Sequence, residues 1–427
     1  MKIIKDGGHR TIDFDTATTR MVAEMLDELA RDGMDAVRRF SEKFDNWNPE
    51  SFELSPSQIE EAVQQLDPQI IADTNLAQDN VRNFARAQLD TMLETEVEIY
   101  PGVILGQKHI PIRSVGSYIP GGVYPMFGSA QMSIIPAKVA GAKSVEACTP
   151  PRKEGGYYPA TIYAMHAAGA DRIFILGGVQ ALALMAFGMD VIEPVDLICG
   201  AGNKYIVEAK RQLFGRCGID LLAGPTEIMV IADDSADPAL VACDLLGQAE
   251  HDPNSGIALI CFSEAFGLAV LKEVERQLVT LPTREIAQVS WTNNGRIYVA
   301  ESLNEAVALS DDYGPEHLEI HVTNPDHFLE KLTNYGSLFI GEETTVAYGD
   351  KCIGTNHILP TGRSARFTGG NWVGKFIKTV TYQKMTPAAS YEIGQVAQRL
   401  CEAEKMYGHA FTARERVNRY RQEVEKG

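Results

Sequence analysis

From about residue 115 onward, short β-rich runs alternate with helical ones, and this alternation constrains the fold more than any other feature of the chain. "VGSYIPGG" leads to "SAQMSIIPAKVAGA", then "SVEACTPP", then "PATIYAMHAAGA". "RIFILGGV" leads to "QALALMAFGM", "VDLICGAGN" and "KYIVEAKRQLFG". A second set opens at "EIMVIADD" and continues through "SGIALICF", "EAFGLAVLKEVERQL", "GRIYVA" and "SLNEAVALSDDYG". Repeated strand–loop–helix units predict parallel sheets covered by helices. Two such sets predict two α/β domains, and 427 residues are enough to fill them.

The flanks differ. The first 100 residues read as helical: "TTRMVAEMLDELARDGMDAVRRFSEKFD" spaces its apolar residues for one helix face. "SPSQIEEAVQQL" opens on Ser55 or Ser57 as a helix cap, and a third helix runs through "VRNFARAQLDTML". The tail, 382–427, is helical and charged and resembles neither set, so it is expected to pack on something, such as a second subunit. Net charge is −18, which disfavours nucleic acid or an anionic membrane as the main partner. The seven cysteines stand singly, several in apolar runs, as buried free thiols do. That usage, an N-terminus with no apolar signal region and no run of membrane-span length together predict a cytoplasmic protein without a membrane partner.

Two constellations could carry chemistry. "YIPGG" (Tyr118–Gly122), "LGGVQ" (Leu176–Gln180) and "CGAGN" (Cys199–Asn203) each follow a strand and precede a helix. Glycine lets a backbone approach a phosphate, and ligands of open α/β sheets sit at the carboxyl ends of strands. No full GxGxxG is present, so plain turns between strand and helix remain the alternative. The nine histidines are few enough for their company to matter. In "DLLGQAEHDPNS" Gln248 and His251 stand three apart, sharing a helix face. Asp350 and His357 share one segment, Glu404 and His409 another, and Glu316 and His317 are adjacent. A capped or surface histidine explains each alone. Nitrogen and oxygen donors of this kind suit zinc, and an adjacent acid and imidazole suit a general base and a water activator. For Glu316 and His317 to reach one site, the chain must bend at the Pro-Glu-His corner, because strand neighbours alternate faces.

Taken in order, "SYIPGG", "GGVQALALMAFG", "GAGNKYIVEAKRQLFG", "IDLLAGPTEIMVIAD", "DLLGQAEHDPNS", "GPEHLEI" and "YGDKCIGTNHILPT" resemble the histidinol dehydrogenase family over nearly the whole chain. The resemblance implies two related, incomplete Rossmann-like α/β domains with parallel sheets. It adds a helical N-terminal arm (1–19) and a C-terminal extension (376–427) swapped into a partner subunit. The first domain would comprise 20–114 and 226–375 and carry zinc and catalysis; the second, 115–225, would bind NAD. One zinc per active site would be held by Gln248, His251, Asp350 and His409, the last from the other subunit of a homodimer. Glu316 and His317 would be the catalytic pair. Tyr118, Gln180 and Asn203 would contact NAD. Thr226, His317, His357 and Glu404, with the zinc ligands, would contact a small polar alcohol. The implied reaction takes a primary alcohol through an aldehyde to a carboxylate with two NAD, histidinol to histidine being the family default.

The chain also departs from that pattern. "EKMYGH" replaces the usual tail motif, Thr226 stands where serine is common, and "GAGN" and "HDPNS" are altered, with Asp252 new beside His251. "GEETTVAYGDKC", "PGVILGQKHIP" and "GGNWVGKFIKTVTYQ" lean towards the sulfopropanediol dehydrogenase branch, although "GGVYPMF" lacks the arginine expected there. The substrate is therefore left between histidinol and another polyol such as 2,3-dihydroxypropane-1-sulfonate. A zinc hydrolase using Glu316 as base is the reading from a different class, but it has no use for the glycine turns.

Overall fold

The computed structural model describes residues 1–7, 15–121 and 124–425. They form two compact units, residues 1–89 with 112–376, and residues 90–111 with 377–427. The first unit holds the two sheets that the sequence predicts. The larger is ordered Lys2–Lys5, Gly295–Val299, Gly256–Cys261, Glu227–Ala232, His317–His321, Ser337–Ile340. It is parallel except for its first strand, which pairs antiparallel with Gly295–Val299. The smaller, ordered Arg172–Ile175, Ser144–Thr149, Ser114–Tyr118, Leu197–Cys199, Gly218–Ile219, is parallel throughout. All six residues of Glu227–Ala232 are buried, as expected of a central strand with helices on both faces.

The flanks are where the sequence and the structure part. Residues 20–114 were expected to join 226–375. Instead the helices Thr16–Asp32 and Met34–Asp45 lay Val22, Leu29, Val37 and Phe40 into one core with Leu182, Leu184 and Leu213 of the smaller-sheet half. The helix Pro56–Gln64 is capped by Ser55, whose hydroxyl accepts from the Gln58 N–H while the Gln58 side chain accepts from the Ser55 N–H. The N-terminal arm begins as an edge strand, not a helix; residues 8–14, and Gly122 of the first glycine turn, lie outside the described residues.

In the second unit, Ile377–Met385, Val103–Pro111 and Thr95–Tyr100 form an antiparallel three-stranded sheet. The helices Pro387–Ala403 and Tyr407–Glu425 pack against each other. Reading the first 100 residues as helical, and 382–385 as part of the helical tail, thus missed this sheet. A Pro-Gly turn at 101–102, with Gly102 at φ +76, was the local sign of its hairpin. Leu93, Ile99, Leu400, Tyr407 and Phe411 are exposed on this unit. Among the described residues no helix is long and apolar enough to cross a membrane.

Candidate active site

The site grows from the end of one helix and the start of one strand. Asp237 caps the helix Pro238–Ala249, and Pro238 occupies its first position, where the missing N–H costs nothing. Gln248 closes that helix, buried to 2% exposure, and His251 follows after Glu250. The strand His317–His321 lies beside Glu227–Ala232, with His317 opposite Ile228. The helix end meets a cavity of about 680 Å³ whose lining includes Ser129, Gln248, His251, Asp350, Lys351 and His357.

Hydrogen bonds fix the orientation of these groups. The Thr226 hydroxyl donates its one proton to Glu316 Oε2, which also accepts from the Glu227 N–H at 2.9 Å. Thr226 Oγ1 must then accept, and it does so from Gln248 Nε2. The amide nitrogen of Gln248 is thereby committed, and its Oε1 is the atom able to serve a metal. The bend at Pro315 that adjacent strand residues needed is present: Glu316 turns to Thr226, and His317 enters the strand.

His317 is buried, and its Nδ1 lies 2.9 Å from the Glu227 carbonyl oxygen. A carbonyl only accepts, so Nδ1 carries the proton and the neutral ring keeps its lone pair on Nε2. Nε2 has no hydrogen-bond partner among the described residues and lies 3.6 Å from Asp350 Oδ1. Burial disfavours a charge on His317, but the Glu316 and Asp350 carboxylates outweigh it and raise its pKa above the ordinary imidazole value. Asp350 is itself buried, yet His317, His357 and Lys351 hold its carboxyl well below the usual range. His357 donates from Nδ1 to the Asp350 carbonyl, which leaves Nε2 to accept from Ser129. Burial lowers the pKa of both His251 and His357, so both favour the neutral form.

The loose ends of "AEHDPNS" resolve locally. Glu250 accepts from the Thr283 hydroxyl at 2.6 Å, a packing role. Asp252 Oδ1 accepts from the Asn254 backbone and side-chain N–H groups, both at 2.8 Å, so it closes the turn.

The smaller sheet places Tyr118, Gln180 and Asn203 at or beyond the carboxyl ends of its strands. The Tyr118 hydroxyl accepts from the Gly178 N–H, and Gln180 packs under that same turn, 1% exposed. Gly178 has φ +67, and a Cβ there would lie 2.6 Å from Gln180 Oε1. Asn203 is exposed and caps the helix Lys204–Leu213 by accepting from Tyr205 and Ile206 N–H. Two residues that sequence reasoning missed pin the "CGAGN" turn: Lys210 Nζ donates to the Gly200 carbonyl and to Asp220, and Asp220 accepts from the Gly200 N–H. Both charges are buried. Missed as well were Asp244, Glu319 and His321; the alternation in "HLEIH" was their signal, since residues two apart share a strand face. Glu404 and His409 lie on the second unit and are exposed.

The chain matches the family model for histidinol dehydrogenase over residues 9–417. It is 54% identical over 399 residues to a histidinol dehydrogenase homolog of Shouchella clausii (strain KSM-K16), covering 93% of this chain and 94% of that one. It is 42% identical to a sulfopropanediol 3-dehydrogenase of Ruegeria pomeroyi, covering 93% and 92%. The crystal structure of histidinol dehydrogenase from Elizabethkingia anophelis superposes with a TM-score of 0.91 at 33% identity, covering 96% of this chain and 94% of that one. With the fold and nearly the full length in agreement, the chain belongs to the histidinol dehydrogenase family, a family of dehydrogenases.

Proposed function

We propose that the protein is a zinc-dependent, NAD-linked dehydrogenase that oxidises a primary alcohol of a small polar substrate through the aldehyde to the carboxylate. The observation that carries this reading is the buried His317, oriented by the Glu227 carbonyl, with an unpartnered Nε2 3.6 Å from Asp350, which lines one cavity with Gln248 and His251. The donor set fits a zinc ion: an amide oxygen freed by the Thr226 bond, a neutral imidazole and an ionised carboxylate come to one wall. Gln248, His251 and Asp350 would hold it, with His409 from the tail of a partner subunit as fourth ligand. The exposed apolar residues of the second unit, Leu93, Ile99, Leu400, Tyr407 and Phe411, support such a homodimer. Bound zinc would supply Lewis-acid polarisation of the substrate's donor atoms.

His317 Nε2 takes the hydroxyl proton of the alcohol as its C–H hydride leaves to the nicotinamide. The aldehyde then adds water, with Glu316 accepting a proton from it. The hydrate gives up a second hydride, so one substrate consumes two NAD. The Thr226 and Glu227 N–H bonds hold Glu316 in place for that second half. Tyr118, Gln180 and Asn203, beside the glycine turns at the carboxyl ends of the smaller sheet's strands, would contact the NAD. His357, bonded to the Asp350 carbonyl at the end of the helix Val346–Lys351, and Glu404 of the extension would contact substrate.

Two substrates follow. Histidinol is the family default. A sulfonated diol, 2,3-dihydroxypropane-1-sulfonate, is favoured by one observation: Lys351 lines the cavity next to Asp350 and offers a cation to an anionic group. The test is a panel of both compounds with simple amino alcohols and sugar alcohols, zinc and NAD present, read by NADH absorbance. One compound is expected to yield two NADH per molecule. Hydrolysis of an ester or amide with no NADH from any alcohol would overturn the reading.

A further inference from the structure

The polar face of the strand His317–His321 does not stop at the catalytic pair. His317, Glu319 and His321 alternate with Leu318 and Ile320, so the three polar side chains share one face. That face is deeply buried: Glu319 is 0% and His321 2% exposed. Opposite it, Asp244 stands four residues before Gln248 on the helix Pro238–Ala249, one turn along the same helix face. Ligand atoms of Asp244, Glu319 and His321 all lie within 4.8 Å of one another, and His321 Nε2 is 3.6 Å from Glu319 Oε2.

Setting a half-buried carboxylate, Asp244, against a fully buried one, Glu319, is costly unless something compensates. The fold supplies only part of the compensation. The Thr345 hydroxyl donates to Asp244 Oδ1 at 2.8 Å, and the Val346 N–H donates to Glu319 Oε1 at 3.0 Å. These bonds orient the two carboxylates as outer-shell donors orient metal ligands. Glu319 Oε2 and both ring nitrogens of His321 have no hydrogen-bond partner among the described residues. Unpartnered donor atoms on two side chains more than nine-tenths buried, converging on one point, are what a bound cation satisfies. Asp244 also lines the 680 Å³ cavity, which gives an ion its way in.

We infer that Asp244, Glu319 and His321 form a second metal site that binds a divalent transition-metal ion. One imidazole and two carboxylates suit zinc or manganese better than magnesium or calcium, which prefer all-oxygen sets. Ligand bonds of about 2.0–2.2 Å leave donor atoms roughly 3–3.5 Å apart, so the three side chains close by about an ångström on binding. The ion neutralises the two carboxylates and ties the strand carrying His317 to the helix carrying Gln248. It shares no ligand with the set Gln248, His251, Asp350 and His409.

The experiment is zinc stoichiometry. Full-length protein is stripped with a chelator, reloaded with zinc ion alone, desalted and analysed for zinc per chain, with circular dichroism to verify the fold. The wild type is expected to hold two zinc per chain, and His321→Leu, Glu319→Gln and Asp350→Ala one each. The double variant Asp350→Ala, His321→Leu should hold none. Glu319→Gln keeps a carbonyl oxygen for the Val346 N–H, so it reports even where His321→Leu fails to fold. One zinc in the wild type, lost only in Asp350→Ala, overturns the second site and leaves the catalytic reading standing. One zinc lost only in His321→Leu and Glu319→Gln supports the second site and removes the catalytic one. Two zinc with no loss in either strand variant also overturns it.

Discussion

Each sheet of the first unit buries charge, and the two do so in opposite ways. Beside the smaller sheet, Lys210 and Asp220 bond to each other and close around the Gly200 peptide, so ammonium, carboxylate, N–H and carbonyl all have partners. Beside the larger sheet, His317 Nε2, Glu319 Oε2 and both nitrogens of His321 have none among the described residues. The first arrangement is complete in the protein alone and shapes a turn. The second leaves buried donor atoms unpartnered, and in the proposed function and the inferred second site these take a proton from substrate at His317 and a cation at Glu319 and His321.

Removing one partner from each region should therefore give different results. Lys210→Met leaves Asp220 charged, buried and unpaired, and is expected to cost about 3–5 kcal/mol of stability in urea denaturation. A loss below about 1 kcal/mol would mean the smaller sheet does not depend on its pair. Thr226→Val cuts the bond path from Gln248 to Glu316 without touching His317. If Gln248 is the metal ligand proposed above, the variant's kcat/KM should fall by about 10–100-fold, the usual cost of losing a support behind such a ligand. Unchanged kinetics would show that Gln248 and Glu316 keep their places without it.

A pH series sharpens the comparison further. Burial, and then the repulsion between them, raise the pKa of Glu319 well above the carboxylate range; burial raises that of Asp244 as well. Glu319 faces Asp244 and His317, while His321 favours the charged form of Asp244. In chelator-treated protein the folded state thus keeps protons that the unfolded chain has released. Stability from this cluster is present below the unfolded carboxylate pKa and is lost as pH rises through the folded values. Glu319→Gln should flatten that decline, and zinc should restore wild-type stability at neutral pH. A decline equally steep in Glu319→Gln would place its origin elsewhere.

The sequence exposed these regions unequally. The alternation after residue 115 announced both parallel sheets, and Ser55, one of two serines offered as a cap, announced a capped helix. Gln248 with His251, and Glu316 with His317, stood out as local pairs in the sequence, but only the family resemblance joined them with Asp350, because no local pattern links positions so far apart. Three things were hidden for physical reasons. Lys210 sits in "KYIVEAKRQLFG", which reads as an amphipathic surface helix, and only tertiary packing brings Asp220 against it. The hairpin at 95–111 carries exposed Val97, Ile99 and Ile110, so its alternation does not mark a buried face. The helices before residue 65 pack by shape on the smaller-sheet half, and sequence order said nothing about which sheet they would choose.

The central claim is that His317 Nε2 is the base for alcohol oxidation at a zinc site built by other residues. Its most direct test is His317→Ala, assayed for NADH production and for bound zinc in the same preparation. NADH production should fall by about a thousandfold or more while the zinc proposed to be held by Gln248, His251, Asp350 and His409 is retained. Wild-type NADH production in that variant would contradict the account.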